Sequence, residues 1–309
     1  MAGVKSVIDG ASELCGIICV NKPAGFTSFD VIAKMRGILK MKRLGHGGTL
    51  DPMAVGVLPV FAGRATKACD MLPDHDKTYE AGFRLGAVSD TQDSAGTVTE
   101  KGGTDGITSA DILKAMEGFR GDIMQIPPMY SAVSVGGKRL YELARQGVEI
   151  ERKPRPVTVY SLELLDYDKS SGEGRLTVSC SKGTYIRTLI NDIGESLGCG
   201  GIMTSLVRTR ACGFSLSDCV TLEQLQETVS GDGDLSAVIK PIEQVFAYLP
   251  ELHIKGAQER MYRNGVKLDL NRLQFDKTAP RVCVYGETGF IGIAAPDIEN
   301  GVLRVEKNF

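Results

Sequence analysis

Apolar positions in this chain repeat with two periods, and the switches between them mark its elements. Ile17 to Val20 is a short unbroken apolar run ended by Lys22-Pro23-Ala24-Gly25, so it reads as a strand entering a turn. Val31, Ile32, Met35, Ile38 and Leu39 then recur at helical spacing, with Thr27 or Ser28 as N-cap. The segment LGHGGTLDPMAVGVLPVFAG (residues 44–63) is too rich in glycine at its start for regular structure and reads as a loop. Tyr79, Ala81, Phe83 and Leu85 alternate with polar or small residues, as in a half-buried strand, and the polar run 89–106 reads as a connection. A capped helix follows, with Ile112, Leu113, Met116 and Phe119 on one face and Gly121 closing it.

Residues 124–152 break the pattern. They hold Pro127-Pro128, Gly136-Gly137 and basic residues interleaved with Tyr130 and Tyr141, which predicts a mobile excursion with little apolar surface to bury alone. Strands resume at Val157 to Leu164 and Leu176 to Cys180, and Ile186, Leu189, Ile190, Ile193 and Leu197 predict another helix. After a polar stretch, short β-like runs such as RVCVYG and GFIGIAA predict a small β module. The expected division is one large domain, 1–250, and one small domain, 251–309.

Composition narrows the function classes. The sequence contains no apolar run long enough to span a membrane, and its first residues lack the basic head and apolar core of a signal peptide, so a cytoplasmic protein with a poorly ordered N-terminal tail is expected. The 8 cysteines form no CxxC pair and read as reduced, mostly buried thiols rather than a disulfide framework or zinc site. His46, His75 and His253 are too scattered for a histidine-built metal centre or a Ser/His triad. The net charge of −2 hides segregation. Lys34, Arg36, Lys40, Lys42 and Arg43 cluster in one stretch, and Lys138, Arg139, Arg145, Arg152, Lys153 and Arg155 in another, while 70–105 is acidic. Such stripes fit either solvated faces or a groove for a polyanion.

Two segments carry candidate chemistry. In Gly45-His46-Gly47-Gly48-Thr49-Leu50-Asp51-Pro52, the glycines allow close approach of a ligand or backbone, and Pro52 biases Asp51 toward an extended conformation. The segment is either a turn or a mount for a carboxylate; it is neither a Walker A loop nor a GxGxxG fingerprint. In Ser181-Lys182-Gly183-Thr184-Tyr185-Ile186-Arg187, an arginine at a helix start opposes the dipole, which suggests a buried carboxylate or a phosphate as its partner. No second carboxylate motif accompanies Asp51, so a single ionised group is expected there.

Taken together, NKPAGFTSFDV, GHGGTLDPMAVGVLP, TYE at Thr78, IPPMYSA with RLYELARQG, and CSKGTYIRTLINDIG resemble, in order and spacing, the bacterial TruB-type tRNA pseudouridine synthases. The resemblance implies an α+β fold with a mixed, mainly antiparallel central sheet flanked by helices and loops, and a small C-terminal β-rich PUA-like RNA-binding domain. It implies isomerisation of uridine 55 in the T-loop of tRNA, with the base flipped out, no cofactor and no metal, by a monomer that contacts the T-stem and T-loop. Asp51 would be the catalytic nucleophile, Tyr79 would stack on the target base, and Arg187 would pair with Asp51. Tyr185 and Leu206 would line the uridine pocket, His46 would stack within the remodelled loop, and Lys22 and Pro23 would support the active-site loop. Residues 124–152 would clamp the RNA. Ser134 stands where the family pattern has a lysine. A rival reading is a tRNA-binding or RNA-folding protein with secondary or lost catalysis, which would have no need of Asp51, Arg187 and Tyr79 together.

Overall fold

The structure, a computed structural model, describes residues 14–72, 75–231 and 234–309. The N-terminal tail expected to be poorly ordered lies outside the described residues, apart from its last positions. The first apolar run forms the strand Gly16–Lys22, and its two faces explain why the run is unbroken. Ile18 and Val20 pack with Val31, Met35 and Leu58 on one side of the sheet. Ile17 and Cys19 pack with Phe61, Phe246 and Ile293 on the other. A strand buried on both faces has no position where a polar residue is cheap.

The helix Ser28–Leu39 starts at Thr27, which accepts from the Asp30 backbone N–H while the Asp30 carboxylate accepts from the Thr27 N–H. This reciprocal cap satisfies donors that the first turn cannot. The helix packs against Leu222–Ser230, which carries the same kind of box through Thr221 and Gln224.

Among the described residues, ten strands form the central sheet. Its path runs Ile239–Lys240, Gly16–Lys22, Val55–Ala62, Gly201–Ala211, His75–Leu85, Glu173–Ser181, Arg155–Asp168, Gly121–Gln125. Leu44–His46 adds beside Val55–Ala62, and Phe214–Ser215 beside Gly201–Ala211. The pairings are antiparallel except where Val207 and Arg208 run parallel to Val55 and Gly56. The sheet is therefore mixed and mainly antiparallel, as expected. The helices Ser109–Glu117 and Ile186–Ser196 cover one end, packing Ile112, Met116, Leu189, Ile190 and Ile193 onto Phe83, Leu85, Leu176 and Val178.

Several local expectations are corrected. Residues 55–62 form a strand rather than loop, because the glycines that break structure are concentrated before Asp51 while VGVLPVFA is apolar and buried. The second helix ends at Glu117 with Gly118 as C-cap, and Leu113 on it is 43 % exposed; Gly121 instead opens the next strand. The polar connection contains a short hairpin, Ala87–Ser89 with Val98–Glu100. The excursion also has structure of its own: a hairpin of Ser134–Val135 with Lys138–Arg139, the helix Leu140–Arg145, and buried Met129 and Leu140.

Five further strands, from Glu251 to Asn308, form a second sheet with its own core of Leu252, Ile254, Tyr262, Val282, Val284, Ile291 and Leu303. Lys307 pairs with Asp70 at 2.8 Å, and Lys67 donates to the Asn308 carbonyl at 2.6 Å, so the last strand is stapled to the segment behind the glycine-rich loop. The cysteines are thiols, buried or half-buried.

Gly56 lies where two neighbouring strands approach closely. Its φ is 107°, and a Cβ there would come within 2.3 Å of the Arg208 carbonyl oxygen. Gly56→Ala is expected to lower unfolding stability by at least about 3 kcal/mol in denaturant titration; a loss under about 1 kcal/mol would contradict this close approach.

Candidate active site

Asp51 is held from three sides. Ser28, at the first position of its helix, accepts from the Leu50 N–H at 2.8 Å and fixes the residue before it. Lys22, wholly buried, donates to the carbonyls of Pro23 (3.0 Å), Phe26 and Pro52 (3.2 Å), and Gly25 N–H donates to Pro52 O at 2.8 Å. Lys22 thus fastens its own turn to the peptide that follows Asp51, with Pro23 in that turn. Burial lowers the Lys22 amine to about 8, and the Asp51 charge opposes that shift. On the third side, Ala54 N–H donates to Asp51 O at 3.1 Å and closes the loop.

Arg187 reaches the carboxylate from the start of the Ile186–Ser196 helix. Its Nε lies 2.9 Å from Asp51 Oδ2 and its Nη2 3.4 Å from Oδ1, a fork-on-fork pair. The remaining N–H groups are spoken for. Nη1 donates to Thr91 O at 2.9 Å and stands 3.5 Å from Asp93 Oδ2, while Nη2 donates to Tyr130 O at 3.0 Å. The guanidinium is 5 % exposed, which explains the arginine that the helix dipole alone would disfavour.

Asp93 overturns the expectation of a lone carboxylate. It is buried, accepts from Thr91 Oγ1 at 2.6 Å and from Ala95 N–H at 3.0 Å, and shares Arg187 with Asp51. Its loop is pinned by the Met203 N–H, which donates to Gln92 O at 3.1 Å, and by Thr188 Oγ1, which donates to Gln92 Oε1 at 2.7 Å. Burial pushes the Asp51 carboxyl above the usual carboxylate range and the charge of Asp93 adds to this, while Arg187 and Lys22 pull it down. Its side chain keeps 35 % exposure, so the carboxylate remains reachable from solvent.

Leu50, Ala54, Tyr79, Ile186 and Leu206 belong to one apolar cluster beside this pair. Tyr79 and Leu206 lie on the neighbouring strands His75–Leu85 and Gly201–Ala211. Tyr185, the helix N-cap, is half-buried, and its backbone N–H and C=O are both bound by the side-chain amide of buried Gln125, at 2.8 and 3.0 Å. His46 stands apart on the strand Leu44–His46, its Nδ1 buried without a partner. Burial and then the charge of Arg208 hold it below the usual histidine range, favouring a neutral ring. Ser134 lies exposed on the excursion hairpin.

The expected residues Asp51, Arg187, Lys22, Tyr79, Tyr185 and Leu206 therefore converge, with His46 at the far end of the same loop. Asp93, Gln125 and Arg208 were missed. Arg208 is wholly buried and donates to Val57, Gly48 and Thr49 carbonyls. A polar residue buried on a strand or in a polar loop leaves no periodic mark, so only the geometry reveals these three.

The fold thus sets a carboxylate fixed by a guanidinium beside apolar and aromatic side chains. Residues 36–186 match the family model described as "TruB family pseudouridylate synthase (N terminal domain)", and residues 187–247 match "tRNA pseudouridylate synthase B C-terminal domain". The chain is 43 % identical over 284 residues to "tRNA pseudouridine synthase B" of Dehalococcoides mccartyi (strain CBDB1), covering 92 % of this chain and 93 % of the relative. It is 46 % identical over 306 residues to the protein of that name from Lachnoclostridium phytofermentans, covering 95 % and 99 %. Among solved structures it resembles "Crystal Structure of a Cbf5-Nop10-Gar1 Complex", with TM-score 0.74, 27 % identity, 95 % of this chain covered and 84 % of that chain. The chain belongs to the TruB family of pseudouridylate synthases.

With the Asp51 carboxyl raised by burial, any activity that depends on its ionised form should fail on acidification at a pH above the ordinary aspartate range near 4. The same shift means that Asp51 ionisation opposes folding, so this group's contribution to stability should grow as pH falls through its folded pKa. A single-turnover pH profile checks the first outcome; an acid limb at or below about pH 4 would contradict it.

Proposed function

We propose that this chain is a tRNA pseudouridine synthase that isomerises uridine 55 of the T-loop, with Asp51 as the catalytic nucleophile. The observation that carries the reading is the Asp51–Arg187 pair at 2.9 Å on the glycine-rich loop of a TruB-family chain. The tRNA substrate follows from the relatives' shared name, tRNA pseudouridine synthase B.

In this reaction the C1′–N1 bond breaks, the uracil turns, and C1′ joins C5; the C5 proton leaves and N1 gains one. Nothing is oxidised or reduced, and the enzyme acts as a monomer without cofactor or metal. The target base is flipped out of its loop onto Tyr79, which needs a cleft the size of one ring. Tyr185 and Leu206 line that cleft, and neutral His46 stacks in the space vacated within the RNA loop. Arg187 favours the ionised carboxylate against the surrounding burial. Lys22 and Pro23 hold the loop's exit.

Residues 1–250 serve as the catalytic domain and 251–309 as a PUA-like RNA-binding domain, supported by the separate core of the second sheet. The basic stripes contact T-stem and T-loop phosphates, reading shape rather than sequence. The enzyme acts in the cytoplasm, where its substrate is; among the described residues no helix is long and apolar enough to cross a membrane.

The direct test is tritium release or mass spectrometry on unmodified tRNA transcript. Wild type should form one pseudouridine per tRNA, and Asp51→Asn should form none while its tRNA dissociation constant stays within about threefold, because binding energy is spread over phosphates. Measurable turnover by Asp51→Asn would remove the nucleophile assignment.

The excursion gives a second test. Its base is tied to the site through Gln125 and the Tyr130 carbonyl, whereas residues 132–152 are rich in charge and glycine. Amide exchange in 132–152 should be fast in the unbound protein and slow at least about tenfold on tRNA, with 125–131 changing less. Slow exchange without RNA would contradict a clamp.

A further inference from the structure

Among the described residues, Phe29 is one of the two most exposed large apolar side chains, at 64 %. It stands in the first turn of the helix Ser28–Leu39, which buries Ser28, Val31, Ile32, Met35 and Ile38. Phe29, Ala33, Arg36 and Lys40 follow one another three or four residues apart, all exposed, and so form one stripe on the outer side. Side chains on a helix lean toward its N-terminus, and small Ala33 leaves room for the Arg36 guanidinium to lie back over the Phe29 ring, with Cζ 5.7 Å from the ring centroid. Arg36 Nε also donates to the Lys42 carbonyl at 3.1 Å, so the guanidinium is held between a ring and a main-chain oxygen.

Exposure alone is ordinary for a scattered apolar residue. The surroundings of Phe29 are not. Its neighbour Ser28 accepts from the Leu50 N–H at 2.8 Å and donates to the Leu50 carbonyl at 3.3 Å, while Gly25 N–H donates to the Pro52 carbonyl at 2.8 Å. The start of this helix is therefore fastened to the chain on both sides of Asp51, and the ring is carried by a rigid neighbour of the active-site loop. The Asp30 carboxylate beside it is already engaged by the Thr27 N–H and hydroxyl. The helix dipole accounts for cations in the last turn, but it gives no reason for an aromatic in the first. With Arg36 over one face and 64 % of the residue exposed, the other face of the ring is open to solvent.

An open aromatic face bordered by Arg36, Lys40 and Lys42 suits a flat ring joined to phosphates, which is the chemistry of an unpaired nucleobase. Flipping the target base out of the RNA loop strips its neighbours of a stacking partner, and an aromatic beside the site can supply one in its place. We propose that Phe29 and Arg36 form a second base-binding site: an unpaired T-loop base other than the target stacks on the open face of Phe29, while Arg36 and Lys40 contact the adjoining phosphates. The inference rests on the tRNA reading above and deepens it by assigning a second nucleotide its own pocket.

The test compares tRNA dissociation constants and single-turnover rates of wild type, Phe29→Tyr, Phe29→Leu and Arg36→Gln. Tyrosine keeps the stacking face and should bind within about twofold of wild type, whereas leucine keeps apolar surface without the face and should bind about tenfold more weakly, the loss of one stacked base. Phe29→Leu should melt within about 2 °C of wild type, since the ring is on the surface, so weaker binding is not misfolding. Arg36→Gln should reduce the slope of log affinity against log salt by about one, the loss of one phosphate contact. Abasic substitution at each unpaired T-loop position in turn then locates the partner: at one position other than the target, Phe29→Leu should cost no further affinity. Losses that multiply at every position overturn the proposal. So does wild-type affinity in Phe29→Leu while wild type turns over normally, the result expected if the patch serves a protein partner instead. Absence of turnover by wild type would overturn the tRNA reading, and this one with it.

Discussion

Arg187 is a buried cation shared between two carboxylates and two backbone carbonyls, and these partners come from three different parts of the chain. Asp51 comes from the glycine-rich loop, Asp93 and Thr91 from the polar connection after the Tyr79 strand, and Tyr130 from the base of the excursion. A guanidinium at 5 % exposure is tolerable only if its charge and its donors are all answered. That requirement forces three otherwise independent loops to meet at the start of one helix. Removing any partner would leave a charge or a donor stranded, so the site and the local fold share the same constraint.

The secondary structure was most legible where one side of an element faces the core and the other faces solvent. Tyr79, Ala81, Phe83 and Leu85 announced their strand because alternate positions differ in burial, and Val31, Ile32, Met35 and Ile38 announced their helix for the corresponding reason at a longer period. Residues 55–62 were hidden because they are buried on both faces and follow a glycine cluster, so neither period shows. The helix end at Glu117 was misplaced because Gly118 and Gly121 both look like terminators, and only packing decides which one is used.

At the site, the central ion pair was readable and the residues that hold it in place were not. Asp51 and Arg187 sit in motifs whose composition is locally odd, a carboxylate after three glycines and a cation at a helix start. Asp93 sits in a polar run where an aspartate is ordinary, and its burial arises from a bridge between Asp93 and Met203, far away in sequence. Gln125 and Arg208 are ordinary in composition as well; their importance lies in backbone groups they satisfy across sequence separations of 60 and 151 residues. Long-range hydrogen bonds to main-chain atoms depend on no particular partner side chain, so no residue pair in the sequence signals them.

This arrangement also explains how a chain with net charge −2 accommodates a polyanion. Lys22, Arg187 and Arg208 are buried around the cleft against Asp51 and Asp93, and two of the three cations bind mainly carbonyls. The immediate site is therefore positive by one charge even though the body is acidic. Because these cations are sheltered from salt, their field is screened less than that of the surface stripes formed by residues such as Arg36 and Lys42. The field of the stripes therefore weakens with ionic strength more than that of the buried set. Asp51 is held at the boundary between the two, where a carboxylate burdened by burial is still kept reachable from solvent.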